Sequence, residues 1–237
     1  MEFPVRINKY LAEKKIASRR EADALIEKGH ILVNGAKATL GQLVHETDTV
    51  SVKGALKKNL YLAYYKGRGI ITHSPAVGEV DIATRLKQDY GMNTIYPVGR
   101  LDKDSEGLII LTNDGRITNP LLNPDSGHEK EYEVTVDKAV TGMFTKLLSV
   151  GVTIEGYRTK PATVAAHPNN QLRFRITLTE GKKHQIRRMC AALGYQVTSL
   201  KRVRIMNVTL GTLKPNQYRK ITGAELKAFL TGLGIHD

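Results

Sequence analysis

The sequence predicts an α+β protein in two units: a small N-terminal unit, and a larger one built on a mixed, mainly antiparallel sheet. Two observations predict it. Strand-like and helix-like hydrophobic periods follow one another irregularly, without the βαβ rhythm of a parallel sheet. A polar stretch, Lys53-Gly54-Ala55-Leu56-Lys57-Lys58-Asn59, also separates two regions that each hold enough apolar residues for a core. The expected division is residues 1–53, a linker at 54–60, and residues 61–237. A hydrophobic content of 41% over 237 residues supports this.

The N-terminal unit reads as two helices on a small sheet. Ile7, Tyr10 and Leu11 recur at helical spacing. Ser18-Arg19-Arg20-Glu21 has the form of a capping box, and Ala22, Leu25 and Ile26 give the helix behind it one apolar face, with Gly29 at its end. Ile31 to Val33 followed by Asn34-Gly35 reads as a strand entering a two-residue hairpin. Val44 and Val50 to Val52 suggest further short strands.

In the second unit, Leu60 to Tyr65 is a strand candidate. Leu108 to Leu111 reads as a buried strand closed by a tight turn at Asn113-Asp114-Gly115. Lys130 to Val134 reads as a strand with Tyr132, Val134 and Val136 on one face. Leu172, Phe174, Ile176 and Leu178 alternate with polar residues. Ile186, Met189, Cys190 and Leu193 mark a helix stopped at Gly194. Val203 and Ile205 alternate with Arg202 and Arg204 as another strand. Thr222-Gly223-Ala224-Glu225 has the form of a second capping box, opening a helix with Leu226, Phe229 and Leu230 inward.

Charge restricts the function. The formal net charge is +13 and the isoelectric point is about 9.7, which favours polyanionic partners. The excess is uneven: Gly181 to Ala224 contains no Asp or Glu, but does contain Lys182, Lys183, Arg187, Arg188, Lys201, Arg202, Arg204, Lys214, Arg219 and Lys220. This reads as a nucleic-acid docking surface. No apolar run approaches the ~18 residues of a membrane span. The start, Met1-Glu2-Phe3-Pro4-Val5-Arg6, has no apolar signal core, so a cytoplasmic location is expected. Cys190 is the only cysteine and reads as a small buried hydrophobe. The histidines lack metal-ligand spacing, and P-loop and GxGxxG patterns are absent, so neither a metal nor a nucleotide cofactor is expected.

Gly99-Arg100-Leu101-Asp102-Lys103-Asp104-Ser105-Glu106-Gly107-Leu108 places one carboxylate, Asp102, between glycines at the entry to a buried strand. In so basic a protein, Asp102 is either an ion-pair partner or an acid acting on a polyanion. Tyr132 reads as a core aromatic on pattern alone. Arg187 falls early in a helix, where a guanidinium can pair with a carboxylate at two points and keep it ionised. Arg19 and Arg20 fall in a first helical turn, which suits phosphate. Arg6 and Lys9 lie on the preceding helix.

At these residues the chain resembles a known family. Residues 5–52, with Ser18-Arg19-Arg20-Glu21-Ala22-Asp23 and Val33-Asn34-Gly35, resemble an S4-type RNA-binding domain. Gly99 to Leu108, Lys130 to Val134 and Gly181 to Met189 resemble motifs of the ribosomal-RNA pseudouridine synthases. The domain order matches the branch holding the small-subunit synthase A and the large-subunit synthases B, E and F. His128 to Tyr132, Phe174 to Leu178 and Arg204 to Val208 are most similar to the synthase F group.

The resemblance implies a cofactor-free isomerisation in which uridine leaves N1 and C5 rejoins the ribose. It implies Asp102 as the essential carboxylate, with attack on the ribose, attack on the base and removal of a ribose proton all open. It implies Tyr132 packing on the base and Arg187 paired with Asp102, with Ile186 and Leu108 walling the pocket. RNA-binding candidates are Arg6, Lys9, Arg19, Arg20, Arg100, Lys182, Lys183, Arg188, Lys201, Arg202 and Arg204. The implied partner is ribosomal RNA, most of all that of the large subunit, free or in a precursor particle. Small-subunit RNA and a non-catalytic assembly role are the alternatives, tRNA is an open secondary target, and a monomer is expected. A glycosidase reading would pair Asp102 with Asp104 or Glu106. Relatives carry Lys-Pro-x-Gly where this chain has Lys66-Gly67-Arg68-Gly69, which predicts a freer loop. The sequence runs to Asp237 without the long basic tail of some relatives, which bears on how RNA is engaged.

Overall fold

A computed structural model describes residues 1–53, 59–92 and 94–235. Residues 54–58, most of the expected linker, lie outside the described residues.

The N-terminal unit runs β1 (Val5–Arg6), α1 (Ile7–Glu13), α2 (Arg19–Glu27), β2 (Ile31–Val33), β3 (Ala36–Lys37), β4 (Leu43–Val44) and β5 (Val50–Val52). The capping box forms in full: Ser18 Oγ accepts from the Glu21 N–H, and Glu21 accepts from the Ser18 N–H at 2.9 Å. Such a cap contributes on the order of 1 kcal/mol. Asn34 and Gly35 both take positive φ, at 51° and 83°, as a tight hairpin between β2 and β3 requires. Ile7, Leu11, Ala22, Ile26, Ile31 and Val44 close over one another as the core.

This unit touches the second one directly. Lys15 Nζ donates to the carbonyls of Leu233 and Gly234 at 3.1 and 2.6 Å. Arg116 donates back to the Lys15 carbonyl at 3.3 Å.

The second unit is organised by one sheet. Its elements are β6 (Tyr61–Lys66), α3 (Ile82–Tyr90), β7 (Tyr96–Val98), β8 (Glu106–Thr112), α4 (Thr118–Leu122), β9 (Lys130–Val136), α5 (Gly142–Ser149), β10 (Thr153–Ile154), β11 (Tyr157–Arg158), β12 (Thr163–Ala166), β13 (Arg173–Leu178), α6 (Gln185–Ala192), β14 (Val197–Ile205), β15 (Val208–Thr209), β16 (Tyr218–Lys220) and α7 (Gly223–Gly232). The main path is β12-β13-β9-β14-β8-β6-β16, with β15 on β14 and β7 on β8. All pairs in this sheet are antiparallel except β14 with β8.

That parallel junction divides the sheet into two halves with separate cores. One contains Leu108, Ile110 and Phe229, and the other Tyr132, Phe174 and Ile186. Gly107 makes the junction possible. Its φ is +109°, and a Cβ there would lie 2.2 Å from the Arg202 carbonyl oxygen, so no other residue fits.

The structure corrects four local expectations. Asn113-Asp114-Gly115 leads into a short helix rather than forming a tight turn of its own. Asp114 is buried, caps a short 3-10 helix at Gly115–Ile117, and accepts hydrogen bonds from Arg116 and from the Tyr61 hydroxyl. The box at Thr222 does not form, because Arg219 draws Glu225 away into a two-point pair at 2.6 and 2.7 Å. In β14 the alternation is reversed at Arg202, which is buried while Val203 is not; a register shift between Arg202 and Arg204 turns the strand there. The loop after Lys66 is tied rather than freed. The Gly67 N–H, which a proline would lack, donates to Asn216 Oδ1 at 3.2 Å, and the Gly69 N–H donates to the Lys103 carbonyl at 2.8 Å.

Candidate active site

Asp102 sits in the loop that leads into β8. Its place is fixed through backbone rather than side-chain bonds. Buried Thr72 clamps the preceding residue, donating to the Leu101 carbonyl at 2.8 Å and accepting from the Leu101 N–H at 3.0 Å. The Ser105 N–H closes a turn on the Asp102 carbonyl at 3.0 Å. Beneath the loop lies Lys66, fully buried, donating to the carbonyls of Gly67, Ile70 and Lys103. Burial pulls the Lys66 ammonium down to about 8, against the fields of Asp102, Asp104 and Glu106. The Asp102 carboxylate itself is 36% exposed, and His184 Nε2 lies 3.3 Å from it. His184 holds a left-handed backbone, φ 51°, as the residue that begins α6.

The facing wall is the sheet. Tyr132 of β9 is 8% exposed and stands opposite Arg202 of β14 in the antiparallel register. Lys130 lies two residues before Tyr132 on the same face. Arg202 is 5% exposed, and its Nε donates to the Leu108 carbonyl at 2.7 Å. Between loop and sheet is a cleft of about 860 Å³, within the range of small-ligand pockets.

The cleft gathers Asp102, Tyr132, Ile186, Arg100, Lys182, Lys183 and Arg202 from the expected set. Arg187 does not line it. This corrects the expected pairing: among the described residues Asp102 and Arg187 form no ion pair. Arg187 instead donates to the Val197 carbonyl at 3.0 Å and reaches the Asp104 carbonyl and Ser105 Oγ at 3.4 and 3.5 Å. The reason is where α6 starts: the residue at its N-cap, His184, faces the carboxylate, while Arg187 points behind the loop. Leu108 is also absent from the cleft wall and packs in the core with Ile110.

The acid-free stretch is not one cationic surface, because acids from elsewhere in the chain fold onto it. Arg204 pairs with Glu129 and Glu131 at 3.0 and 2.8 Å, Arg188 with Glu155, and Arg219 with Glu225. Lys201 lies over the Tyr65 ring. Lys182 and Lys183 remain exposed at the cleft, as does Arg100. Arg6 and Lys9 lie on the N-terminal unit away from the cleft lining, with Lys9 3.6 Å from Glu13. Arg19 and Arg20 line a second groove with Tyr96 between the two units, and that groove shares Pro97 and Thr118 with the cleft.

Three residues escaped the sequence reading: His184, Thr72 and Lys66. His184 lies inside the quoted Gly181 to Met189 motif, two residues before Ile186, and that adjacency was its available signal. Thr72 carried none, since its partner is 29 residues away. The glycosidase pairing is not supported. Neither Asp104 nor Glu106 lines the cleft, and Glu106 accepts from the Tyr65 hydroxyl at 2.8 Å. The other carboxylate of the cleft, Glu180, is 2% exposed and accepts from Gln185 Nε2, the Tyr157 hydroxyl and the Lys160 N–H. Cys190 is fully buried, as expected, and burial pushes its thiol up to about 12. Among the described residues, no group of three acidic, histidine or cysteine side chains is placed to hold a metal.

A two-half sheet carries the carboxylate loop at its junction and follows a small helix-on-sheet unit in the chain. The RNA pseudouridylate synthase family model matches residues 60–192, and the S4 domain model matches residues 5–50. The chain belongs to the RNA pseudouridine synthases that carry an S4 domain. It is 43% identical to the dual-specificity RNA pseudouridine synthase RluF of Escherichia coli strain K12, over 94% of this chain and 77% of that protein. It is 33% identical to the ribosomal large subunit pseudouridine synthase B of Bacillus subtilis, over 94% of each. A crystal structure of a pseudouridylate synthase superposes with a TM-score of 0.68 at 26% identity, over 97% of this chain and 99% of that one. No described helix is long and apolar enough to cross a membrane.

Proposed function

We propose that this isomerase converts a specific uridine of large-subunit ribosomal RNA to pseudouridine, with Asp102 as the essential carboxylate and Tyr132 packing on the base. The observation that carries this is the meeting of Asp102 and Tyr132 in one cleft rimmed by Arg100, Lys182 and Lys183. The rim cations suit phosphates, and the cleft wall suits one extruded base. Extruding a uridine costs a few kcal/mol, less in loops and bulges. The facing walls of the cleft keep the freed base in place until C5 meets C1′. Arg187 acts from behind, holding the Asp104 carbonyl and the Ser105 hydroxyl, and is a positioning residue in this scheme. The S4 unit supplies Arg6, Lys9, Arg19 and Arg20 to the RNA, and Arg188, Lys201 and Arg204 border the catalytic face. The choice of large-subunit RNA rests on the motif resemblance and on the name of the Bacillus relative. The enzyme works as a monomer in the cytoplasm, on free RNA or a precursor particle.

The test is tritium release from [5-³H]uridine-labelled large-subunit RNA, small-subunit RNA and tRNA, since C5 loses its hydrogen on bonding to ribose. Release from large-subunit RNA at a single mapped site is expected. Release from small-subunit RNA alone would move the substrate to the other subunit. Release from tRNA as well would add a second target class.

A further inference from the structure

The sheet wall of the cleft carries two cations that no ordinary role explains. Arg202 is 95% removed from solvent (5% exposed), and its Nη2 is buried without a hydrogen-bond partner. Lys130 lines the same cleft and donates to the His128 carbonyl at 3.1 Å. Neither takes part in an ion pair among the described residues, whereas nearby Arg204 and Arg175 have acids. Burial and the neighbouring Arg202 charge pull the Lys130 ammonium down. Two desolvated like charges without an acid cost stability, and such arrangements gather at functional sites. Tyr132 stands between them in the sheet: opposite Arg202 in register and two residues from Lys130.

We infer that Lys130 and Arg202 hold the negative charge of the departing uracil, by donating to its oxygen while the base is detached. This rests on the proposed isomerisation and deepens it. In that step the N1–C1′ bond breaks and its electron pair stays with the base, spread over N1, C2 and O2. The electron deficiency at C1′ is met at Asp102, either by a bond to its carboxylate or by loss of a ribose proton to it. The base then turns, C5 supplies the pair for the C5–C1′ bond while the bond from Asp102 to C1′ breaks or Asp102 returns the ribose proton, the C5 proton leaves, and N1 takes a proton. Preorganised donors aimed at developing charge in a water-poor site are worth about 10²- to 10³-fold in rate. A phosphate is the poorer fit for this position. The exposed cations Arg100, Lys182 and Lys183 stand at the cleft for the backbone, whereas Arg202 lies deep beside Ile205 and Leu200.

The test compares wild type, Lys130→Met and Arg202→Gln in single-turnover reactions on one RNA carrying uridine or 5-fluorouridine at the target. Nucleoside chromatography follows loss of the target nucleoside, and binding is measured across salt concentrations. Wild-type conversion of the uridine RNA is the control for the isomerase reading itself. The inference expects each variant to lose about 10²- to 10³-fold in rate on uridine, with RNA affinity and its salt slope unchanged. It also expects at least about tenfold of that loss to be recovered on 5-fluorouridine, because fluorine stabilises the departing anion and leaves less for the cations to do. Equal losses on both RNAs would overturn it in favour of a structural role. A salt slope lower by about one per cation would overturn it in favour of a phosphate contact. Should Arg202→Gln fail to fold, Lys130→Met carries the same outcomes alone.

Discussion

The loop wall and the sheet wall of the cleft hold charge in opposite ways. On the loop, Asp102 is one carboxylate at 36% exposure, beside His184, with its position set by backbone bonds through Thr72, Ser105 and the Lys66 scaffold. On the sheet, Lys130 and Arg202 are two cations without acids, and Arg202 is almost wholly buried. The first arrangement costs little, since water and a neighbour share the charge. The second is held only because β9 and β14 over-determine it. The loop wall keeps its charge in contact with water, and the sheet wall holds its charges buried and without acids.

The largest way to break this comparison is Gly107→Ala, which attacks the junction joining both walls. Clash and a forbidden φ together should cost about 3 kcal/mol or more, read as a lower denaturant midpoint. Gly142→Ala, where an added Cβ meets nothing within 4 Å, should leave that midpoint unmoved or raised. Next is Lys66→Met, which strips donors from three carbonyls under the Asp102 loop and should cost about 1–3 kcal/mol. Its pH sign is fixed. Lys66 is held near 8 in the folded protein, so between that value and the ordinary lysine value of about 10.4 the unfolded chain binds more protons. Wild-type stability relative to Lys66→Met should therefore rise with pH through that window. A fall would show that the folded lysine stays charged.

Smaller effects sharpen the comparison at its edges. Replacing Arg19 and Arg20 together with Gln should weaken RNA binding and lower the log–log salt slope by about 1.5, with the single-turnover rate at saturation unchanged. His184→Ala should be smallest, less than about fivefold on turnover, because its contact with Asp102 is half-exposed and screened. A loss of a hundredfold would make His184 part of the chemistry.

Much of this was legible in the sequence, where the signals were local. The Ser18–Glu21 box, the Asn34-Gly35 hairpin and the Tyr132–Val134–Val136 face each depend on residues a few positions apart, and each forms. The misreadings turn on partners that only the fold assigns. Asp114 is claimed by Tyr61, which stands 53 residues away in the sequence. Thr222 and Glu225 read as a cap until Arg219, three positions before Thr222, takes the acid. Arg202 looked like a solvated arginine in an alternating strand, and a register shift turns it inward. Arg187 looked like the partner of Asp102 because both motifs were at hand, yet the start of α6 gives that place to His184. The convergence of Asp102 and Tyr132 was readable from motif combination, but the unpaired cations beside Tyr132 were not, because only folding decides which charges go without acids.

The most direct test of the central claim is Asp102→Asn, assayed for tritium release from [5-³H]uridine-labelled RNA alongside its RNA affinity. The account predicts affinity within about threefold of wild type, since binding rests on Lys and Arg, and release lower by at least about 10³-fold, as expected on removing an essential nucleophile or base. Release at a rate near that of wild type, with binding intact, would show that the carboxylate of the 99–107 loop does not carry the reaction.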